Sequence, residues 1–145
     1  MAESDLPYLL LSAATAVVDA VQAGVRDAGF DDVRPAHGFA FLRLSGGGAT
    51  VVELARHLGV TKQAASQLVE ELSRKGYVER TPHPDDGRAV LVVLTERGRA
   101  CTAAADATLR TQTQHWSHVV GEGRLRTLRD DLARIVPPGP VRPTW

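Results

Sequence analysis

The sequence has little of several features that would place it in other classes of protein. Its 145 residues include one cysteine, Cys101, so no disulfide can form within the chain, which suits a reducing cytoplasm. Aromatic residues make up only 5% of the chain, and the formal net charge is zero. The N-terminus carries Glu3 and Asp5 instead of a basic segment, and no run of about eighteen apolar residues occurs. We therefore expect neither a disulfide-rich secreted domain, nor a membrane span, nor a signal peptide.

The sequence also lacks the motifs of common catalytic and metal centres. No Ser-His-Asp order, glycine-rich phosphate loop or paired-carboxylate motif is present, so we expect neither an enzyme nor a cofactor. His115 and His118 are spaced to share a helix face, and His37 could join them on a metal ion. Without a carboxylate cluster, solvated or hydrogen-bonded histidines are favoured. Cys101 is likewise interpreted as a small buried residue. A metal- or redox-responsive protein remains the alternative, and no metal site is predicted.

The most informative part of the sequence, residues 51–77, is typical of two short helices joined by a tight turn. Gly59 suits the turn because glycine takes positive φ freely, and Thr61 is a good N-cap for the second helix. We expect Gly76 to end that helix. The apolar positions that recur at helical spacing, and should be buried, are Val51, Leu54, Ala55 and Leu58, then Ala65, Leu68 and Leu72.

Two β-prone runs follow the helix pair, at residues 77–81 and 88–94, and flank a turn rich in proline, aspartate and glycine. A helix-turn-helix that continues directly into a hairpin is typical of a winged helix. This geometry lays the second helix into the major groove of DNA.

Four motifs in this region occur together and in a specific order. They are L-A-x-x-L-G-V-T at Leu54–Thr61, L-x-x-K-G-Y-V-E-R at Leu72–Arg80, P-D-D-G-R at Pro84–Arg88 and L-T-E-R-G at Leu94–Gly98. In these motifs the chain resembles the MarR family of bacterial transcription regulators. The resemblance extends more loosely to the whole chain, through its length and helical flanks. One departure is Gly87, where the family more often has arginine, and this could weaken one phosphate contact.

Helical patterns also flank the winged region, over residues 6–28, 96–119 and 122–136. Thr95 is the expected cap of the second of these helices, and Pro137 and Pro138 should stop the third. The resemblance implies that terminal helices interlock with those of a second subunit; the alternative is a monomeric helical bundle. We therefore expect a mainly α protein with a small β-hairpin wing. Residues 35–95 form the winged helix-turn-helix, and residues 1–34 and 96–145 form the dimerisation helices.

The side chains expected to meet DNA lie on the polar side of the second helix. Gln63 and Gln67 can each read adenine, whereas Lys62 can meet guanine or phosphate. Ser66 can serve as donor or acceptor, and Thr61 can offer its hydroxyl or the helix N-terminus to phosphate. Residues 35–94 carry seven basic and six acidic side chains, so charge alone would not predict DNA binding.

The resemblance implies further contacts and a mode of regulation. Arg88 would enter the minor groove from the wing tip and Asp86 would orient it by an ion pair, although Asp86 is equally a turn former. The implied protein is a cytoplasmic homodimer that binds an inverted repeat in double-stranded DNA. It would be a repressor released by a small aromatic or anionic effector, held in a crevice near His37, Phe41 and Trp116. The alternative is a winged-helix protein-interaction module without DNA binding.

Overall fold

A computed structural model describes residues 5–142, which contain six helices and one two-stranded sheet. Residues 1–4, and with them Glu3, and residues 143–145 lie outside the described part. The expected fold class is confirmed, and the expected element ends agree with the observed ones to within two residues. In chain order the elements are α1 Leu6–Asp27, α2 Pro35–Ser45, α3 Val51–Leu58, α4 Lys62–Arg74, β1 Val78–Pro82, β2 Val90–Leu94, α5 Glu96–Val120 and α6 Glu122–Ile135.

Helix α1 packs closely on α5 through its C-terminal half. A Cβ added at Gly24 would lie 2.0 Å from the Thr108 hydroxyl oxygen, so the two helices cross where α1 has no side chain. Val25 is the only fully buried residue of α1, and the N-terminal half leaves leucines exposed. By length and composition alone α1 is also apolar enough to cross a membrane, with a mean hydropathy of 1.5 over an 18-residue window. The expectation of no such segment rested on unbroken apolar runs, which α1 avoids through Asp19 and its small polar residues.

Local capping explains why α3 and α4 begin and end where they do. The Thr50 hydroxyl accepts the Glu53 backbone N–H at 3.2 Å, and the Glu53 carboxylate accepts the Thr50 N–H at 2.9 Å. Gly59 ends α3 with a φ of 70°, which only glycine adopts without strain. The Thr61 hydroxyl then accepts the Ala64 N–H at 3.1 Å, confirming the expected N-cap of α4.

One expected core position of α4 was wrong. Leu68 is only half-buried, whereas Val69 is fully buried together with Ala65 and Leu72. The buried stripe thus follows the spacing 65, 69 and 72, rotated slightly from the expected one.

The wing is an antiparallel hairpin in which Val78 pairs with Leu94 and Pro82 with Val90. Ala49, just before α3, forms an isolated antiparallel bridge with Val92 of β2. The Ala49 N–H donates to the Val92 carbonyl at 3.0 Å, and the Val92 N–H donates to the Ala49 carbonyl at 2.8 Å. The hairpin is therefore held against the helix pair by backbone hydrogen bonds as well as by packing.

The core lies between α2, α3, α4 and the hairpin, with Tyr77 at its centre. The Tyr77 ring is fully buried, 5.5 Å from the Phe41 ring, and its hydroxyl bonds to the Asp32 carboxylate. Arg97 donates to the same hydroxyl at 3.0 Å and stacks over the ring. Cys101 is buried beside this cluster, and burial raises the pKa of its thiol to about 11. A protonated, enclosed thiol is a packing group.

Candidate nucleic-acid interface

The N-terminal end of α4 presents a polar face on the outside of the protein. Ala65, Val69 and Leu72 fix the buried side of the helix, with no exposed area on any of them. The side chains expected to meet DNA lie on the remaining surface, where all are exposed except the half-buried Ser66: Thr61, Lys62, Gln63, Ser66 and Gln67. The first turn contains no acidic residue, so the positive end of the helix dipole is not neutralised there. Such an end favours anionic ligands such as phosphate.

The wing tip carries Asp86 and Arg88, both exposed. The Asp86 carboxylate accepts the backbone N–H of Arg88 at 3.0 Å, and its carbonyl accepts the Ala89 N–H at 3.0 Å. These bonds form the turn, and within the described residues no ion pair joins Asp86 to the Arg88 guanidinium. Asp86 is thus seen here in its turn-forming role. The Arg88 guanidinium extends from the tip of the hairpin.

The C-terminal half of α4 is tied to the start of α2 by a polar cluster that the sequence did not reveal. The Glu71 carboxylate accepts Arg34 Nη2 at 2.8 Å and Lys75 Nζ at 3.0 Å. Lys75 also donates to the Asp32 carbonyl at 2.8 Å. The hydrogen bond from Lys75 and the nearby charge of Arg34 lower the pKa of Glu71 to about 2. Glu71 therefore stays ionised and orients the helix, and only its pairing with Lys75 four residues away was visible in the sequence.

The three residues expected near an effector do not share an open surface. His37 and Phe41 are buried in the core, and Trp116 is half-buried on α5. His37 Nδ1 accepts the Arg34 N–H at 3.0 Å, while burial and the Arg34 charge lower the pKa of the ring. His37 therefore serves as a neutral capping group of α2, and a ligand would reach it only if the core opened.

An open cleft of about 370 Å³ lies elsewhere, between the end of α2, strand β2 and α5. Leu44, Gly48 and Val93 form part of its wall, and Arg99 and Asp106 give it one cation and one anion. His37, Phe41 and Trp116 do not line it. Within residues 5–142, no three His, Cys, Asp or Glu side chains are grouped as a metal site would require, and His115 and His118 are exposed.

Comparison with known proteins agrees with this arrangement. The MarR family model matches residues 33–89, which hold α2, the helix-turn-helix and most of the wing. The multiple antibiotic resistance protein MarR of Escherichia coli is 47% identical over 51 residues, which are 35% of each chain. Over its winged region the chain is similar to the MarR family. An uncharacterised Mycobacterium tuberculosis protein is 32% identical over 87 residues, which are 60% of this chain but only 61% of that protein.

Solved structures extend the similarity to the whole fold of the chain. The apo form of E. coli MarR matches with a TM-score of 0.70 and 25% identity, covering 91% of this chain and 97% of that one. The transcriptional repressor CouR, solved on a 23-mer DNA duplex, matches with a TM-score of 0.69 and 25% identity. That match covers 93% of this chain and 97% of CouR. The helices outside the winged region therefore have counterparts in both proteins.

Proposed function

We propose that this chain is a MarR-family transcription regulator that binds double-stranded DNA as a homodimer. The observation that carries the proposal is the exposed polar face at the N-terminal end of α4, held opposite a fully buried stripe. A recognition helix of this kind places its N-terminal residues against base edges in the major groove. The CouR complex supports the assignment, because CouR has a similar fold and is bound to a DNA duplex.

Within this face, each side chain has a distinct part. Gln63 and Gln67 can form paired hydrogen bonds with adenine, and Ser66 can donate or accept beside them. Lys62 supplies a flexible charge that meets guanine or phosphate. The Thr61 hydroxyl caps α4 by accepting an N–H, and its own hydrogen remains available for a phosphate oxygen.

The wing supplies the second contact of each subunit. Arg88 projects from an exposed hairpin tip, where a guanidinium can enter the narrow, electronegative minor groove. Asp86 contributes by closing the turn that presents Arg88, through its bond to the Arg88 N–H. With zero net charge in the chain, we expect modest non-specific affinity and a moderate dependence on salt.

Dimerisation is proposed from the apolar surface that the single chain leaves uncovered. Helix α6 has no buried residue, although Leu128 and Ile135 recur on it at helical spacing. Residues 1–34 and 96–145 would thus form the dimerisation region around residues 35–95. A two-fold dimer presents two recognition helices to successive turns of an inverted repeat. The exposed large apolar side chains of the three terminal helices are Leu6, Tyr8, Leu9, Leu10, Leu11, Leu109, Val119, Val120, Leu128 and Ile135.

We further propose that the protein is a cytoplasmic repressor released by a small aromatic or anionic effector. The support is its family and the cleft between α2, β2 and α5, which adjoins both the wing strand and a dimerisation helix. A ligand there could favour one arrangement of the wing relative to the terminal helices and so change the spacing of the two recognition helices. His37, Phe41 and Trp116 remain predicted contacts that require the core to open.

The experiment is a titration of the protein against the DNA that lies upstream of its own gene. A shuffled duplex of equal length and composition serves as the control, and both are measured at several salt concentrations. We expect saturable binding to the natural duplex, tighter than to the shuffled one, and its loss on adding an excess of a small aromatic carboxylate. Equal, weak and strongly salt-dependent binding to both duplexes would contradict the proposal and favour a protein-interaction module.

A further inference from the structure

The C-terminal tail, which follows α6, contacts the helix-turn-helix. After α6 ends at Ile135, residues 136–142 run to the end of α3. There Arg142 Nε donates to the His57 carbonyl at 3.0 Å and Nη2 donates to the Arg56 carbonyl at 2.9 Å. The contact joins residues that are 85 and 86 positions apart.

The two accepting carbonyls belong to the last turn of α3, where helix carbonyls lack intrahelical partners. A cation at this end is also favoured by the helix dipole. The Arg142 side chain lies across Gly59 as well: a Cβ added there would come within 3.2 Å of its Cδ and Nε. Gly59 therefore serves both the left-handed turn, at a φ of 70°, and the close approach of the tail.

The tail has a restricted backbone because it is rich in proline. Pro137, Pro138 and Pro140 restrict the backbone, and Gly139 takes a φ of 140° between them. Because such a segment loses fewer conformations when it docks, the two hydrogen bonds of Arg142 can hold it in place. The neighbouring His57 ring is kept neutral, because burial and the charges of Arg43 and Arg142 lower its pKa. The Arg142 guanidinium therefore lies near an uncharged His57 imidazole and is not repelled by it.

We propose that Arg142 is a positioning residue for DNA binding. Capping α3 from the tail fixes the turn at Gly59. It thereby fixes the start of the recognition helix at Thr61 and Lys62, four and five residues beyond His57. The contact between Arg142 and α3 also joins the proposed dimerisation region to the winged region. The two regions are thus connected at the helix pair that is proposed to meet DNA. This inference rests on the proposed DNA binding and adds a residue that the sequence motifs do not contain.

The test compares Arg142→Ala and Arg142→Lys with the wild type in the full chain. Arg134→Ala is the control, since it removes the same charge from α6, where within the described residues its ion pair is with Asp131. We expect Arg142→Ala to bind the natural duplex roughly threefold to tenfold more weakly, with an unchanged salt slope. Arg142→Lys should not restore affinity, because an ammonium cannot offer the planar pair of donors. Arg134→Ala should bind like the wild type.

A measurement without DNA tests the contact between Arg142 and α3 independently of DNA binding. In hydrogen exchange, the amides of Gly59 and Val60, which bond to the last turn of α3, should exchange faster in Arg142→Ala than in Arg134→Ala. A salt slope reduced by about one, with rescue by lysine, would instead make Arg142 a phosphate contact and overturn the positioning role. Unchanged affinity and exchange in Arg142→Ala would also overturn it. Absence of saturable binding by the wild type would overturn the proposed function itself.

Discussion

Gly98 lies so close to Tyr77 that a Cβ at position 98 would come within 2.2 Å of the Tyr77 carbonyl oxygen. The first turn of α5 therefore packs against the backbone that leads into the wing. Thr95 completes the junction, since its hydroxyl accepts the Gly98 N–H at 3.1 Å and donates to the Gly76 carbonyl at 2.6 Å. The motif L-T-E-R-G thus joins the end of the wing to α5.

We predict that Gly98→Ala destabilises the protein by about 1–3 kcal/mol, because the new methyl group meets a carbonyl that cannot move freely. Gly38→Ala is the control, since Gly38 also lies within a helix but a Cβ there meets nothing within 4 Å. That variant should be neutral or stabilised by up to about 1 kcal/mol. The free energies come from urea unfolding. Equal stability of the two variants would show that α5 does not approach Tyr77 this closely.

We predict that the contribution of Glu71 to stability depends on pH. Its pKa is lowered from 4.5 to about 2 in the folded protein, so its ion pairs stabilise the fold above pH 4.5 and are lost as pH falls towards 2. Glu71→Gln should cost up to about 1 kcal/mol near pH 7, and this difference from the wild type should shrink below pH 4.5. Glu70→Gln is the control on the exposed side of the same helix. A difference that does not vary with pH would contradict the ion pairing.

We predict that the chain sediments at twice its mass at micromolar concentration. Leu9→Asp places a charge on the exposed apolar part of α1 and should shift the equilibrium towards monomer. Val52→Asp is the control, because Val52 is similarly exposed but lies on α3, outside the proposed dimerisation region. A wild-type monomer would contradict the dimer, and partition into lipid vesicles would assign the apolar face of α1 to a membrane instead.

We predict that Arg88→Ala weakens operator binding by about 1–3 kcal/mol and lowers the salt slope by about one. Arg88 is exposed at the wing tip, so the free energy of unfolding should change by less than about 0.5 kcal/mol. Arg134→Ala, which removes an equal charge far from the wing, should leave both affinity and slope unchanged. If Arg88→Ala and the wild type bind with the same affinity and slope, the wing does not contact DNA.

Local signals account for what the sequence predicted well. The caps at Thr61 and Thr95 and the turn at Gly59 act within a few residues, so they could be recognised before the fold was known. The helix ends and the exposed face of α4 followed from them. Leu68 was placed in the core because helical spacing alone leaves the centre of a stripe uncertain by one position, and Val69 is the buried residue.

Long-range contacts account for what the sequence did not predict. The bond from Arg34 to Glu71 spans 37 residues, and the bonds from Arg142 to α3 span more than 80. No spacing rule relates such positions, because they meet only after the helices pack. The family resemblance placed His37 in a crevice, but the fold buries its ring, and Nδ1 caps the start of α2.

The central claim is that the N-terminal face of α4 reads bases, and a binding series over all single-base variants of the operator tests it most directly. Wild type, Gln63→Ala and Lys62→Ala are compared at fixed salt. Gln63→Ala should lose discrimination at one or two positions in each half-site, whereas Lys62→Ala should weaken all sequences more evenly. A preference profile that Gln63→Ala leaves intact would contradict the claim and show that specificity comes from another face or from DNA shape.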